Sequence, residues 1–315
     1  MENQHNILGS EDKKEGIEGL LRQAGKDRVI DAVVKGKEIP SIGNIVLRSI
    51  ATVTHPSNIG SIAFSPNGKY IATACYDHRI RVFRFAGEEF KHLGNAETSI
   101  EHNGLYALDY RDDENHLFVA TGDSICYGDY DAVMYTCNFT DRWISLSDPS
   151  TFSYNQNADC IIIGDEGGNL NFSKLIENEI RQIKSPIKIS EKEITAAAFS
   201  PNGGLFAAAD GAKTLRMYRF FNNINDERHV LDSIDVIHNE FETYGLAFSP
   251  DNTCLVMATE KGLMLWKNRK LSRLTSNEAH TVVFSPDGKY LAASFGNYFE
   301  DNPTGYMKLY RIVGK

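Results

Sequence analysis

Four segments of the chain are variants of one phrase: Phe64-Ser65-Pro66-Asn67-Gly68-Lys69, Phe199-Ser200-Pro201-Asn202-Gly203, Phe248-Ser249-Pro250-Asp251-Asn252 and Phe284-Ser285-Pro286-Asp287-Gly288-Lys289. Proline supplies a fixed φ, Asn or Asp a side-chain bond to the backbone, and glycine a positive φ. Together they specify a tight turn between antiparallel strands. Each phrase lies between two short apolar runs, so the chain is a tandem repeat of one supersecondary unit. Repeat architectures present extended surfaces, and any catalytic claim has to rest on its own site.

Around the first phrase, Ser61–Phe64 enters the turn, Tyr70–Cys75 leaves it, Tyr76-Asp77-His78 reverses the chain, and Arg79–Phe83 forms a third strand. A β-rich run from Ile45 to Val53 precedes them, which makes four strands per repeat. Weaker copies lack the phrase. Leu105–Tyr110, Leu117–Thr121 and Ala132–Thr136 form one, and Thr151–Tyr154, Cys160–Ile163 and Asn169–Phe172 another. Anchor aromatics fall at Phe64, Tyr110, Tyr154, Phe199, Phe248 and Phe284, spaced 36 to 49 residues apart. A four-stranded propeller blade needs about 40–45 residues. The fold class expected is all-β: a β-propeller of four-stranded antiparallel blades.

The turn phrase, the acid after the second strand (Asp77, Asp123, Asp165, Asp210, Glu260) and the aromatic ending the third (Phe83, Phe172, Tyr218, Trp266, Tyr310) resemble the WD-repeat β-propeller family over about residues 45–313. The family's Trp-Asp dipeptide is absent, and its Gly-His pair survives only as His55, His102 and His238, so the chain reads as a divergent member. The resemblance implies a buried His, Ser/Thr, Asp and Trp tetrad. In the first blade His55, Thr73 and Asp77 are candidates, whereas Phe83 has no N–H to donate. The unit count favours six blades, with seven the alternative. Pairing Ile45–Val53 with the last strand, Met307–Ile312, closes the ring and removes both edges. A second alternative is an open six-bladed ring completed by a partner's strands, as in vesicle-coat and nuclear-pore propellers.

Residues 1–40 do not repeat and are expected as a partly disordered extension with one or two short helices: Ile17, Leu20, Leu21 and Ala24 follow helical spacing, Asp27 is a cap candidate, and Pro40 ends the segment. Residues 41–315 are the propeller. No run reaches the about 18 apolar residues of a membrane span, and the polar start shows no leader pattern. Five cysteines are scattered without a Cys-x-x-Cys pair. They read as small apolar residues of a reducing compartment, cytoplasmic or nuclear. A net charge of -9 and a pI near 5.5 argue against nucleic acid and for a basic partner. The basic stretch Lys267–Lys270 reads as a hairpin tip.

Loops joining second to third strands share one face of the ring, and two are long, Gly122–Asp131 and Phe295–Gly305. Their blades flank the first. Tyr127, Tyr130, Tyr298 and Phe299 supply aromatic area, and Asp129, Asp131, Glu300 and Asp301 a negative rim; Tyr76, His78 and Arg79 lie between. Aromatic anchors with a charged rim are the anatomy of a protein-binding patch. The expected function is therefore a non-catalytic scaffold that binds protein or peptide partners on this face, as a subunit of a larger complex. The competing reading is an esterase. Gly122-Asp123-Ser124-Ile125 resembles the nucleophile block of the GDS-type esterases, and Asp235-Val236-Ile237-His238 has the Asp-x-x-His spacing of an acid and base. The structural context of that motif is missing. No phosphate loop or zinc spacing occurs, so neither cofactor nor metal is expected.

Overall fold

The computed structural model describes residues 45–86, 89–97, 105–110, 116–121, 124–131, 136–139, 144–145, 149–176, 179–221, 231–296 and 304–313. The expected N-terminal helices lie outside them. The chain is an all-β propeller of four-stranded antiparallel blades. It opens with β1 (Val46–His55). The first sheet follows as β2 (Ile59–Phe64), β3 (Tyr70–Cys75), β4 (Arg79–Ala86) and β5 (Glu89–Glu97). The second holds β6 (Leu105–Tyr110), β7 (His116–Thr121), β8 (Ser124–Asp131), β9 (Thr136–Phe139) and the short β10 (Ile144–Ser145). The third is β11 (Pro149–Asn155), β12 (Cys160–Asp165), β13 (Asn169–Ile176) and β14 (Glu179–Lys188). The fourth is β15 (Ile194–Phe199), β16 (Leu205–Asp210), β17 (Thr214–Phe220) and β18 (Leu231–His238). The fifth is β19 (Thr243–Phe248), β20 (Leu255–Thr259), β21 (Gly262–Lys267) and β22 (Lys270–Arg273). The sixth is β23 (Ala279–Phe284), β24 (Tyr290–Gly296) and β25 (Gly305–Val313), with β1 as its outer strand. The inner strands β2, β6, β11, β15, β19 and β23 each neighbour the next, and β23 neighbours β2.

The repeated phrase forms the same side-chain lock four times. Ser65 Oγ accepts the Tyr70 N–H at 2.9 Å and donates to Asn67 Oδ1, which accepts the Lys69 N–H at 2.8 Å. Ser200 with Asn202, Ser249 with Asp251 and Ser285 with Asp287 repeat it. Gly68, Gly203 and Gly288 take φ of 69°, 71° and 69°, while Asn252 holds 57° in the third phrase. This is the left-handed region that Gly, and next Asn, tolerate. The hairpin tip at Lys267–Lys270 is present, with Asn268 and Arg269 both at positive φ.

One expectation fails. Gly122–Asp131 is not a long loop: Ser124–Asp131 is the third strand of its sheet, with Phe118 opposite Tyr127 and His116 opposite Asp129. The expected third strand, Ala132–Thr136, is not the third strand of this sheet; Thr136 begins β9, which pairs with β8. The physical reason is that β8 starts three positions after β7 ends, as β4 starts soon after β3. Ser124-Ile125-Cys126-Tyr127 continues the β-rich pattern directly, and the charges that suggested a loop sit at its far end.

Closure is made within one chain. β1 pairs antiparallel with β25 from Val46 opposite Val313 to His55 opposite Gly305, with a shift between Ser49 and Ala51. Leu47 and Val53 of β1 and Met307 and Leu309 of β25 are buried in the core between the sixth sheet and its neighbours. No sheet among the described residues awaits a strand from a partner, which removes the basis for the open-ring alternative. A chain that begins at Pro56 is expected to lose its cooperative unfolding transition and to aggregate through the bared β25 edge. Calorimetry with light scattering measures this, and an unchanged melting temperature would rule out a closing role for β1.

Candidate functional site

The face that carries the turns between second and third strands is stiffened by its acids. In the first sheet Arg81, only 1% exposed, donates to both oxygens of Asp77. In the fourth sheet Arg216 donates to Asp210 Oδ2, and the Ala212 and Thr214 N–H groups donate to Oδ1. In the third, Asp165 accepts the Asn169 N–H and the side-chain amides of Asn169 and Asn171. Of the expected tetrad, His55 Nε2 meets Thr73 Oγ1 at 3.0 Å beside the Phe83 ring. Asp77 turns to Arg81 instead. Burial first, and the Arg81 charge second, push the His55 pKa down to about 3, so the ring is neutral.

The ten residues expected at the binding patch separate. Tyr76, His78 and Arg79 occupy the β3–β4 turn, and the Tyr76 N–H donates to the Asn58 carbonyl at 3.0 Å. Tyr127, Asp129 and Tyr130 leave the patch. β8 runs away from this face, and Asp129 pairs with His116 at the opposite end of the sheet. Tyr298, Phe299, Glu300 and Asp301 lie outside the described residues, but the strands that bracket them end on this face. Gly296 pairs with Gly305, and the Gly305 N–H donates to the Ser57 carbonyl at 3.2 Å. A Cβ at Gly305 would lie 2.9 Å from that same oxygen, so only glycine admits the approach.

Sequence reading missed the other end of this arc. In each sheet the pairing of the inner strand skips one residue: Gly60, Tyr106, Ser150, Thr195, Tyr244 and His280. Such bulges re-aim side chains. Ser150 and Thr195 donate across the seam to the Ile194 and Thr243 carbonyls at 2.5 and 2.6 Å. Tyr244 and His280 stack with centroids 5.5 Å apart, and His280 Nε2 lies 3.3 Å from the Gly296 carbonyl. Burial, then Glu242, Glu278 and Glu260, raise the Tyr244 pKa; burial, then Glu260 and Glu242, raise that of Glu278. The acids are crowded with each other, relieved by Lys213 at 3.5 Å from Glu260. Contacts thus run from Tyr244 through His280, Gly296, Gly305 and Ser57–Asn58 to Tyr76. The signal in the sequence was positional: Tyr244 and His280 both stand five places before a phrase serine.

The inner strands enclose a central channel of about 520 Å³. At the fifth position of β6 it meets Asp109, where the other inner strands carry Ala63, Ser153, Ala198, Ala247 and Val283. The carboxylate accepts the Tyr110 N–H at 2.9 Å and also the Tyr154 N–H of the third sheet. Ser153 does the equivalent for Phe199 at the next seam. Burial dominates over both bonds and pushes the Asp109 pKa up to about 7.

The esterase residues do not assemble. Ser124 lies on β8, opposite Ser145, with the whole third sheet between it and β18. Asp235 and His238 stand three apart on one strand, pairing in regular register with Met217 and Thr214, so they project to opposite faces. Asp235 is bound to Arg269 at 3.4 Å and His238 Nδ1 to Thr214 Oγ1 at 3.3 Å. No metal-holding group of His, Cys, Asp and Glu occurs among the described residues.

A folded-state pKa above the usual carboxylate value means that the folded protein holds its Asp109 proton longer than the unfolded chain. Stability from this group is present at low pH and is lost as pH rises from about 4 to about 7. Asp109→Asn keeps the acceptor and removes the charge. Its melting temperature is expected to exceed wild type by at least about 2 °C at pH about 8, with the difference gone near pH 4; a variant less stable at the higher pH would refute the assignment.

Comparison with known proteins places this geometry. Residues 47–84 match the family described as WD domain, G-beta repeat. No curated protein matches the chain. Among solved structures, the chain is similar to the β-propeller domain of Myceliophteria thermophila Cps50 (Swd1), with 14% identity and a TM-score of 0.61, over 91% of this chain and 100% of that one. At that identity the likeness speaks for the fold.

Proposed function

We propose that this propeller, with its WD repeat at residues 47–84, is a non-catalytic scaffold: a closed ring of six blades that binds a protein or peptide partner on the loop face and joins it to a multiprotein complex. The observation that carries this reading is the continuous arc from Tyr244 to Tyr76, an aromatic and acidic surface held by the Tyr244–His280 ring stack and by hydrogen bonds at Gly296, Ser57 and Asn58. Three turn acids of the same face of the ring are already held, Asp77 by Arg81, Asp210 by Arg216 and Asp165 by the Asn169 and Asn171 amides, so the face is preformed and binding carries little ordering cost. Glu242, Glu260 and Glu278 favour a basic partner by charge complementarity. Tyr298, Phe299, Glu300 and Asp301 belong to the same surface in this reading, because their segment leaves β24 and enters β25 there. Residues 1–40 are an appended segment and residues 41–315 the propeller, acting in the cytoplasm or nucleus, in keeping with five scattered cysteines.

The reading is tested by affinity capture from native lysate with wild type, a Tyr298→Ala/Phe299→Ala variant and a Tyr244→Ala variant, all checked for unchanged melting. Partners retained by wild type are expected to fall at least about tenfold with either variant, as for loss of an anchor residue. Equal capture by all three would overturn the arc as the binding face.

A further inference from the structure

The outer strands share a device that one sheet leaves unfinished. In four of them the pairing skips an apolar residue: Ile50 of β1, Leu93 of β5, Ile183 of β14 and Ile234 of β18. The first three pack against the core shared with the following sheet and are partly buried there. Ile234 has the same place before the fifth sheet, yet it is 41% exposed and joins neither adjoining core. The fifth sheet is too short to cover it. Its β21 has six residues where the other third strands have seven to nine, and β22 has four where β1, β5, β14 and β18 have eight to ten. Across the gap Leu271, directly opposite the half-buried Trp266, is 40% exposed. The result is an apolar notch in the outer rim between the fourth and fifth sheets, bridged by Arg269 on Asp235 at 3.4 Å.

We propose that the occupant of this notch is the chain's own N-terminal segment, residues 15–24, docked as an amphipathic helix. The chain enters the ring beside the notch: Ile45 and Leu47 are buried with Leu263, Leu265 and Leu274 in the core between the fifth and sixth sheets. Val46 lies opposite Val313, and Arg311 opposite Tyr290, just past one phrase; Trp266 lies opposite Leu255, just past another. The entry point and the Lys267–Lys270 tip therefore stand at the same end of the ring. The 20 residues from Gly25 to Asn44 reach about 66–72 Å when extended, against about 20 Å for two intersheet spacings. Ile17, Leu20, Leu21 and Ala24 recur at helical spacing, with Glu15 and Glu18 among them. Gly16 and Gly19 weaken that helix in isolation, so it needs an apolar surface to order against. The notch supplies one with complementary charge in a chain of net charge -9: Arg219, Arg269, Lys270 and Arg273 stand there against Asp232 and Asp235, the latter already paired.

The test is disulfide trapping in the full chain at micromolar concentration. Leu20→Cys with Leu271→Cys is expected to cross-link at monomer mass at least about tenfold faster than Leu20→Cys with Ile176→Cys, because docking raises the effective concentration of the first pair alone. Ile176 is the control because it is comparably exposed, at 38%, on the third sheet. A cross-link at dimer mass names a second copy as the occupant, and equal rates for the two pairs leave the notch to a partner protein; both overturn the assignment. Hydrogen exchange reads the same contact without added cysteines. Leu20→Asp/Leu21→Asp, which changes no residue of the ring, is expected to speed exchange of the amides of residues 231–237 and 268–273 at least about tenfold, with exchange in β12 and β16 unchanged. Equal exchange in wild type and variant at the notch overturns the proposal.

Discussion

The antiparallel pairing of β1 with β25 is the constraint on which the rest of the molecule depends. Every other sheet is built from strands of one contiguous stretch of chain, whereas this one joins residue 46 to residue 313. It costs the loop-closure entropy of nearly the whole chain. What offsets that cost is not the ladder alone. Leu47 packs with Tyr310 and Leu291, and Val53 packs with Met307, Ile59 and Phe83, so the closing strand is shared between the cores on either side of it. Closure brings β23 beside β2, and the Ser294 hydroxyl donates to the Ile59 carbonyl across that junction. The arc on the loop face exists only because this junction is closed: Gly305 meets Ser57 there, and Asn58 meets Tyr76.

Between neighbouring sheets, small polar side chains do what the large aromatics cannot. Ser61, Ser150 and Thr195 each donate to a carbonyl of the next inner strand. A hydroxyl is short enough to satisfy a carbonyl without wedging the sheets apart, and an unsatisfied group at such a depth costs about 1–3 kcal/mol. At the other face the turn phrases pack head to tail: Gly68 lies against Pro286, and Gly288 against Pro250. The same phrase therefore makes its own hairpin and contacts the next one, which explains why proline and glycine recur together in it. Asp109 belongs to this series of seam residues, and it alone uses a carboxylate.

Much of this was legible in the residues because repetition gives a local signal several chances to be read. Phrase, strand lengths, closing strand and the acid after the second strand all follow from turn chemistry and alternation. The second sheet was misread where the phrase is absent: without Pro and Gly to mark the first hairpin, Asp129 and Asp131 looked like loop residues although they end a strand. The Asp77–Arg81 and Asp210–Arg216 pairs have a sequence signal that the reading did not use, an Arg two places before the aromatic of the third strand. The stacking of Tyr244 on His280 was not legible, since it joins two sheets through bulges that the alternation conceals.

The replacement of a tetrad by Arg–Asp pairs changes what the loop face can do. An Arg–Asp pair neutralises the turn acid in situ, with the guanidinium buried and the carboxylate partly exposed at Arg81–Asp77 and the reverse at Arg216–Asp210, so neither acid adds much net charge to the face. Breaking a buried pair of this kind costs about 3–5 kcal/mol, which fixes the turns in one conformation. The negative charge left to act outward is that of Glu242, Glu260 and Glu278, where one lysine faces Glu260 and the acids raise the Tyr244 and Glu278 pKa values. Rigidity and charge are thus assigned to different parts of the ring: paired acids hold the turns of the first and fourth sheets still, and crowded acids between the fifth and sixth supply the field that a basic partner would follow.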